Sequence, residues 1–262
     1  MKSLGGINLD HAELEQRGLK YDRRWMTVEH HKQIITQRTH RRMALIKTAL
    51  TDNQLVLSYG AEKRSIPLLD HYGAQVNVQV WRNTCPAQHI DSEIDSWLST
   101  IIGLQVKLVY MPEDSVRAVD PTYAVADDIV SFADAYPLLL VSEESLNLLN
   151  SKLDSPVPMN RFRPNIVFSG GTAHLEDEIE KYRIAECRFQ NVKPCYRCVV
   201  TTIDQETIER NKEPLKTLST YRLADQEVWF GMNAVPLSFG SIRVGDRLII
   251  ESKTEEQLGF TK

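Results

Sequence analysis

Short runs of alternating apolar and polar residues fill the first hundred positions: Trp25 to Glu29, Gln33 to Thr36, Ala44 to Thr48, Gln54 to Ser58, Arg64 to Leu68 and Val76 to Val80. Alternation with period two puts every second side chain on one face, as in a half-buried strand. Breaks such as Thr51-Asp52-Asn53 separate the runs at the rhythm of short antiparallel strands. This half reads as a small β-barrel or curled sheet. One helix interrupts it: Ser92 and Asp95 have capping-box spacing, Ile94, Trp97, Leu98 and Ile101 recur at helical intervals, and Gly103 ends the turn. A strand from Gln105 to Tyr110 closes the region.

Residues 113–128 are polar, acidic and proline-containing, with no sustained period, and are expected to form a long connecting loop. Beyond it, Pro137 to Val141 is a continuous apolar run, and Ser142 caps a helix carrying Leu146, Leu148 and Leu149. Strands are expected over Asn165 to Ser169, Arg183 to Phe189, Cys198 to Ile203, Glu227 to Leu237 and Ile242 to Glu251. A short helix is expected over Pro214 to Tyr221, because proline suits a first turn. The expected fold is mainly β with a few short helices, in two packed halves over residues 1–112 and 129–252, with a polar tail over 253–262.

A chain of 262 residues with 42% hydrophobic composition can build one core, or two modest ones. Its net charge of −4 and pI near 6.0 argue against a nucleic-acid polymer as partner, so an anionic ligand must be gripped locally. No stretch approaches the roughly 20 apolar residues that span a bilayer, and Met1-Lys2-Ser3-Leu4-Gly5-Gly6 has no apolar signal core. A cytoplasmic protein without a membrane partner is expected. The histidines show no ligand-like pairing and read as surface or loop residues.

Four cysteines are too few for a dense disulfide framework, and Cys85 and Cys187 read as small buried hydrophobes. Lys193-Pro194-Cys195-Tyr196-Arg197-Cys198 is different. It runs into the β-branched Val199-Val200-Thr201-Thr202, which places the second cysteine where a loop enters a strand. Arg197 and Lys193 nearby favour the thiolate, the form that attacks electrophiles and binds soft metals. Three physical readings compete here. A structural zinc site needs four ligands, and the chain offers one pair and two single cysteines. A thioredoxin-type pair needs its first cysteine at the start of a helix. Simple packing leaves the fixed proline entry and the flanking guanidinium without a role.

The segment from Lys193 through Asp204 resembles the signature of the MOSC domain. The likeness continues in collinear order. Met1-Lys2-Ser3 resembles the family's Val-Lys-Ser start, Asp22-Arg23-Arg24-Trp25 its Asp-Arg-x-aromatic element, and Phe132-Ala133-Asp134-Ala135-Tyr136-Pro137 its Phe-Ala-Asp-Gly-Tyr-Pro turn. Arg161-Phe162-Arg163-Pro164-Asn165, Glu213-Pro214-Leu215-Lys216-Thr217-Leu218 and Ile242-Arg243-Val244-Gly245-Asp246 complete the pattern. The chain is thus similar to proteins that join a MOSC N-terminal β-barrel domain to a MOSC domain, the YcbX-like bacterial proteins and the mitochondrial amidoxime-reducing component among them.

The resemblance implies a molybdenum cofactor, a phosphorylated pterin whose dithiolene sulfurs hold the metal, with Cys198 as protein ligand and Cys195 in support. It implies Arg23 and Arg163 as phosphate-gripping forks, Lys2 and Ser3 as further phosphate donors, and Asp134 and Asn165 on polar edges of the pterin or holding its loops. Arg197, the backbone N–H of Tyr196 and Asn233 complete the implied set. The implied activity is reduction of N-hydroxylated small molecules such as hydroxylamines, amidoximes and N-hydroxylated nucleobases. An iron–sulfur cluster in the chain would need four more cysteines, and none follows Cys198, so electrons are expected from a separate iron–sulfur or flavin reductase. The alternative is a module that carries the cofactor or sulfur without catalysis. Pyridoxal phosphate is left open as a further phosphorylated ligand.

Overall fold

Period-two patterning gives strands where it is strongest. A computed structural model describes residues 1–68 and 72–254. His71, Glu255-Glu256 and the tail beyond Thr254, on which some expectations fell, lie outside the described residues. The first half holds β1 (His11–Glu15), β2 (Gly18–Leu19), β3 (Trp25–Glu29), β4 (Lys47–Leu50), β5 (Gln54–Tyr59), β6 (Glu62–Pro67), β7 (Gln75–Val80), β8 (Asn83–His89), helix α1 (Ser92–Ile102) and β9 (Val106–Tyr110). The second holds β10 (Leu138–Ser142), α2 (Glu143–Asn150), β11 (Ile166–Phe168), β12 (Ile179–Ile184), β13 (Cys187–Tyr196), α3 (Leu215–Leu218), β14 (Leu223–Ala224), β15 (Glu227–Pro236), β16 (Gly240–Arg243) and β17 (Leu248–Lys253). Among the described residues the fold is mostly β with three short α-helices, as the patterning and the family resemblance lead one to expect.

Two small sheets, β3-β9-β8-β7 and β4-β5-β6, lie in the first half; β3 and β9 share one core with β5 and β6, and their other face packs with β7 and β8 in a second. Trp25, Leu57, Ile66, Leu98 and Leu108 meet in the first of these cores, with the apolar stripe of α1 (Ile94, Trp97, Leu98, Ile101) laid against them. The helix cap differs from the expectation. Asp91, not Ser92, accepts from the N–H groups of Glu93 and Ile94 at 2.7 and 3.1 Å, a shorter reach for a side chain already in extended backbone. Gly103 ends the helix at φ +80° as expected.

The second half is built on a curled sheet in the order β11-β10-β15-β13-β12-β17, with β14 paired to β15. Tyr182 and Phe189 stack at 4.9 Å in its core, and a second cluster behind β10 and β15 joins Phe162, Phe230 and Leu149. Two expected single strands are each two strands. Arg183 to Phe189 is a hairpin turning at Ala185, which has φ +49°, whereas Ile242 to Glu251 breaks at Gly245, with φ +93°, into β16, which pairs with β1, and β17, which pairs with β12. Gln33 to Thr36 makes isolated bridges only, and Ala44 to Thr48 begins in a 3-10 turn before β4.

One strand crosses from the first half to the second. β1 pairs antiparallel with β16, His11 opposite Arg243, so an N-terminal strand completes the C-terminal half, and Leu14 lies in that half's core.

Candidate functional site

Residues 2–5 enter the first half through backbone bonds, Lys2 N–H to Trp25 O and Gly5 N–H to Ile46 O, each 2.9 Å, around a fully buried Leu4. Side chains cannot leave this segment freely. Ser3 has φ +60°, and its carbonyl accepts from Gln37 Nε2 at 2.9 Å.

After β2 the chain turns through Asp22-Arg23-Arg24. Arg24 runs inward to the Met111 carbonyl and the Tyr110 hydroxyl. Arg23, at φ +52°, instead reaches across to the second half, bonding the Arg163 carbonyl at 3.3 Å and Asn165 Oδ1 at 3.5 Å. Asp22 pairs with Arg23 and accepts from Asn165 Nδ2 at 2.9 Å. Arg163 answers by donating to the Leu4 carbonyl at 2.8 Å. It has φ +56° directly before Pro164, in a left-handed conformation that non-glycine residues rarely adopt. Ser3, Arg23 and Arg163 all hold positive φ, the kind of backbone cost that persists where the surroundings over-determine it.

Asp134 is the hub. Buried Arg117 fixes its loop by donating to the carbonyls of Ser131, Ala133 and Asp134 at 2.7–2.9 Å. The carboxylate then receives Lys2 Nζ at 2.6 Å, Trp81 Nε1 at 3.2 Å and Arg38 Nη2 at 3.3 Å. Desolvation works against its charge, but Lys2, Arg38 and the indole hold the carboxyl well below the usual carboxylate range. Burial meanwhile pulls the Lys2 ammonium down to about 8, with Asp134 resisting. Gly18 makes the loop's position possible. It has φ +94°, and a Cβ there would stand 2.8 Å from the Pro137 carbonyl.

Cys198 closes the cluster, half-buried, with Arg38 Nη2 at 3.4 Å from its Sγ. Its setting is not the strand mouth expected. Residues Val199–Thr202 form a 3-10 turn with Cys198 at its cap. Thr201 Oγ1 bonds back to the Cys198 carbonyl at 3.0 Å and Thr202 Oγ1 to the Val199 carbonyl at 2.7 Å, so local side-chain bonds override β propensity. Arg161 ties the turn down through the Thr201 carbonyl and Asp204.

Two further expectations about this segment change. Arg197 does not meet Cys198: it donates to Cys195 Sγ at 3.0 Å and to the Phe162 carbonyl at 2.6 Å. Lys193 lies over the Tyr123 ring. The cation on the Cys198 sulfur is Arg38, which sequence reasoning missed, along with Asp22, Trp81 and Arg117. Arg38 stands in the polar run Thr36-Gln37-Arg38-Thr39-His40, which gave no signal beyond its charge. Tyr196 ends β13 with an exposed side chain. Asn233, on the paired strand β15, donates to the Pro194 carbonyl at 3.2 Å.

Lys2, Asp134, Arg38 and Cys198 are thus linked in one chain of contacts, and Arg23, Arg163, Asn165 and Asp22 in another beside it. Six cations (Lys2, Arg23, Arg38, Arg117, Arg163, Arg197) and two carboxylates (Asp22 and Asp134) stand within electrostatic reach of one another. Burial, with Arg23 alongside, lowers the Arg163 guanidinium to about 10. Such a surplus of half-buried positive charge is the setting for an anion gripped by forked donors. Among the described residues no three His, Cys, Asp or Glu side chains stand close enough to hold a metal ion, so zinc on protein ligands alone finds no place there. Cys195 lies within β13 and not at a helix start, unlike the first cysteine of a thioredoxin pair.

Comparison with known proteins places the chain in a family. Residues 1–105 match the MOSC N-terminal beta barrel domain and residues 127–249 the MOSC domain. The chain is 33% identical to mitochondrial amidoxime-reducing component 1 of Mus musculus, over 94% of this chain and 78% of that protein. It is 32% identical to mitochondrial amidoxime reducing component 2 of Rattus norvegicus, over 94% and 79%. A molybdenum cofactor sulfurase of Oryza sativa subsp. japonica is 30% identical over 97% of this chain, which corresponds to 33% of that protein. With two domain matches in order and relatives aligned along nearly its whole length, the chain belongs to the MOSC-domain family, carrying a MOSC N-terminal beta barrel domain ahead of the MOSC domain.

Proposed function

We propose that this protein binds a molybdenum cofactor and reduces N-hydroxylated small molecules with electrons from a separate protein. One observation carries the reading: a half-buried cysteine sulfur, contacted by Arg38, lies beside a cluster of cationic side chains to which both halves of the chain contribute. The residues suit the group chemically. Cys198 offers a soft sulfur donor for molybdenum. Arg23 and Arg163 offer planar forks for phosphate, Lys2 a compact charge and Ser3 a hydroxyl. Asp134, Asn165 and Asn233 supply hydrogen-bonding partners for the polar edges of a pterin.

When bound, the cofactor supplies the oxygen-accepting and two-electron chemistry. The overall reaction is R–NH–OH plus two electrons and two protons giving R–NH2 and water. The N–O bond breaks, the nitrogen is reduced, and an iron–sulfur or flavin reductase is oxidised. The protein's part is to hold and orient. Arg38 steadies the Cys198 sulfur while its other contact fixes Asp134, so sulfur and loop keep one spacing. Buried Arg117 keeps that loop from shifting. Arg23, bonded to the Arg163 carbonyl, and Arg163, bonded to the Leu4 carbonyl, are held in place before any ligand arrives, which lowers the ordering cost of binding.

Elemental analysis of purified protein combined with Cys198→Ser tests the proposal. The expected result is about one molybdenum per chain in the unsubstituted protein and a changed molybdenum spectrum, or lost metal, in the variant. Unchanged metal content and spectrum in Cys198→Ser would overturn the ligand assignment. The similarity to a molybdenum cofactor sulfurase favours a second reading, in which the chain carries cofactor or sulfur without turnover. Full molybdenum loading with no reduction of hydroxylamine or benzamidoxime by a chemical reductant would select it.

A further inference from the structure

Trp81 sits at the tip of the β7–β8 hairpin, in the two-residue turn Trp81-Arg82, with φ +55°. Such turns favour Asn or Gly, because bulky side chains are strained at positive φ. The residue is also 40% exposed, a poor place for the largest apolar side chain. Neither turn chemistry nor core packing accounts for it. Its ring is nevertheless fixed: Nε1 donates to Asp134 at 3.2 Å, and the Arg38 guanidinium lies over the ring at 4.6 Å from its centroid, with Lys2 Nζ at 5.9 Å. Arg38 touches both this ring and the Cys198 sulfur, so the indole stands one side chain away from the sulfur.

We propose that Trp81 is a specificity-determining residue whose uncovered surface stacks on the planar, conjugated part of an N-hydroxylated substrate, favouring aromatic amidoximes and N-hydroxylated heteroaromatic bases over small aliphatic hydroxylamines. The proposal rests on the reading of Cys198 as the reaction centre. Hydrogen bond and guanidinium hold the indole in one orientation, so a planar substrate meets a surface already ordered. Stacking of this kind on an aromatic side chain is worth roughly a tenfold or larger effect in binding.

The test uses the cofactor-loaded full chain with a chemical reductant, and compares kcat/KM for benzamidoxime with kcat/KM for N-methylhydroxylamine. Trp81→Leu is expected to lower that ratio about tenfold, chiefly through KM for benzamidoxime, and Trp81→Phe to restore most of it. A ratio unchanged in Trp81→Leu, or one not recovered in Trp81→Phe, overturns the proposal. A second readout is independent of turnover. Benzamidoxime is expected to quench tryptophan fluorescence of the loaded protein, with the quench lost in Trp81→Phe, and a quench that persists in that variant also counts against the role. If loaded protein reduces neither substrate, the proposed function fails while the fluorescence titration still decides whether Trp81 is a stacking surface.

Discussion

Arg38 and Cys198, 160 positions apart in sequence, meet at 3.4 Å between guanidinium nitrogen and sulfur, and the same nitrogen lies 3.3 Å from Asp134. One planar group thereby couples the soft donor to the carboxylate hub. Arg38→Lys keeps the charge but not the fork, and Arg38→Leu removes both. Molybdenum retained after dialysis is expected to fall in the order unsubstituted, Arg38→Lys, Arg38→Leu, with roughly tenfold weaker retention in the last, since a charged hydrogen bond is worth about 1.5–3 kcal/mol. Equal retention in all three would mean that Arg38 does not steady the sulfur.

Lys2 gives the pocket a pH dependence. Burial lowers its ammonium to about 8, so in the ligand-free protein the charge carries a cost below that pH and is lost as pH rises through it. An anion beside it raises that value, so binding takes up a proton just above pH 8, and affinity falls as pH climbs towards the ordinary lysine value of 10.5. Calorimetry of cofactor-free protein with inorganic phosphate, in buffers of different ionisation enthalpy, should show this uptake and lose it in Lys2→Met. Phosphate affinity that stays flat across this range would argue against Lys2 as a donor.

The fully buried Glu176 should be among the costliest polar side chains to remove. It accepts from the Ser142 N–H at 3.3 Å, the Ser142 hydroxyl at 2.8 Å and the Ser145 hydroxyl at 2.9 Å, pinning the start of α2 to the loop ahead of β12. Glu176→Ala strands the Ser142 N–H and at least one of the two hydroxyls, since the other can turn to its neighbour at 2.6 Å. A loss of about 3 kcal/mol is expected, lowering the thermal midpoint by roughly 6–12 °C. Thermal denaturation checks it, and a shift within error of zero would show that water replaces the carboxylate.

Gly18 and Gly60 make a matched pair for testing how the Asp134 loop is seated. Both have positive φ, but a Cβ on Gly60 meets nothing within 4 Å, whereas one on Gly18 strikes the Pro137 carbonyl at 2.8 Å. Gly60→Ala should cost about 1 kcal/mol, from backbone strain alone. Gly18→Ala should cost more and also weaken phosphate binding, because Pro137 must shift together with the loop that presents Asp134. Equal effects of the two on phosphate binding would disconnect Gly18 from the pocket.

Much of the β architecture was legible because alternation is a local signal: β3, β5, β7 and β15 stand near where the patterning put them. The errors fall where another local force wins. Val199 to Thr202 has β-branched side chains suited to a strand, yet the two threonine hydroxyls return to the backbone and close a 3-10 turn. The hairpin at Ala185 was hidden because its left-handed residue is neither Gly nor Asn. In the pocket, residues inside motifs could be named, whereas Arg38, Trp81 and Arg117 act through partners remote in sequence, and no spacing rule joins positions 38 and 198. Arg197 shows the converse, since adjacency to Cys198 placed its guanidinium on Cys195 instead.

The pairing of β1 with β16 bears on the order of assembly during synthesis. His11 leaves the ribosome early but has no strand to lie against until Arg243 has emerged, and contacts of such sequence separation form late. A fragment arrested before residue 240 would therefore expose an unpaired edge at β1 and leave that sheet unfinished.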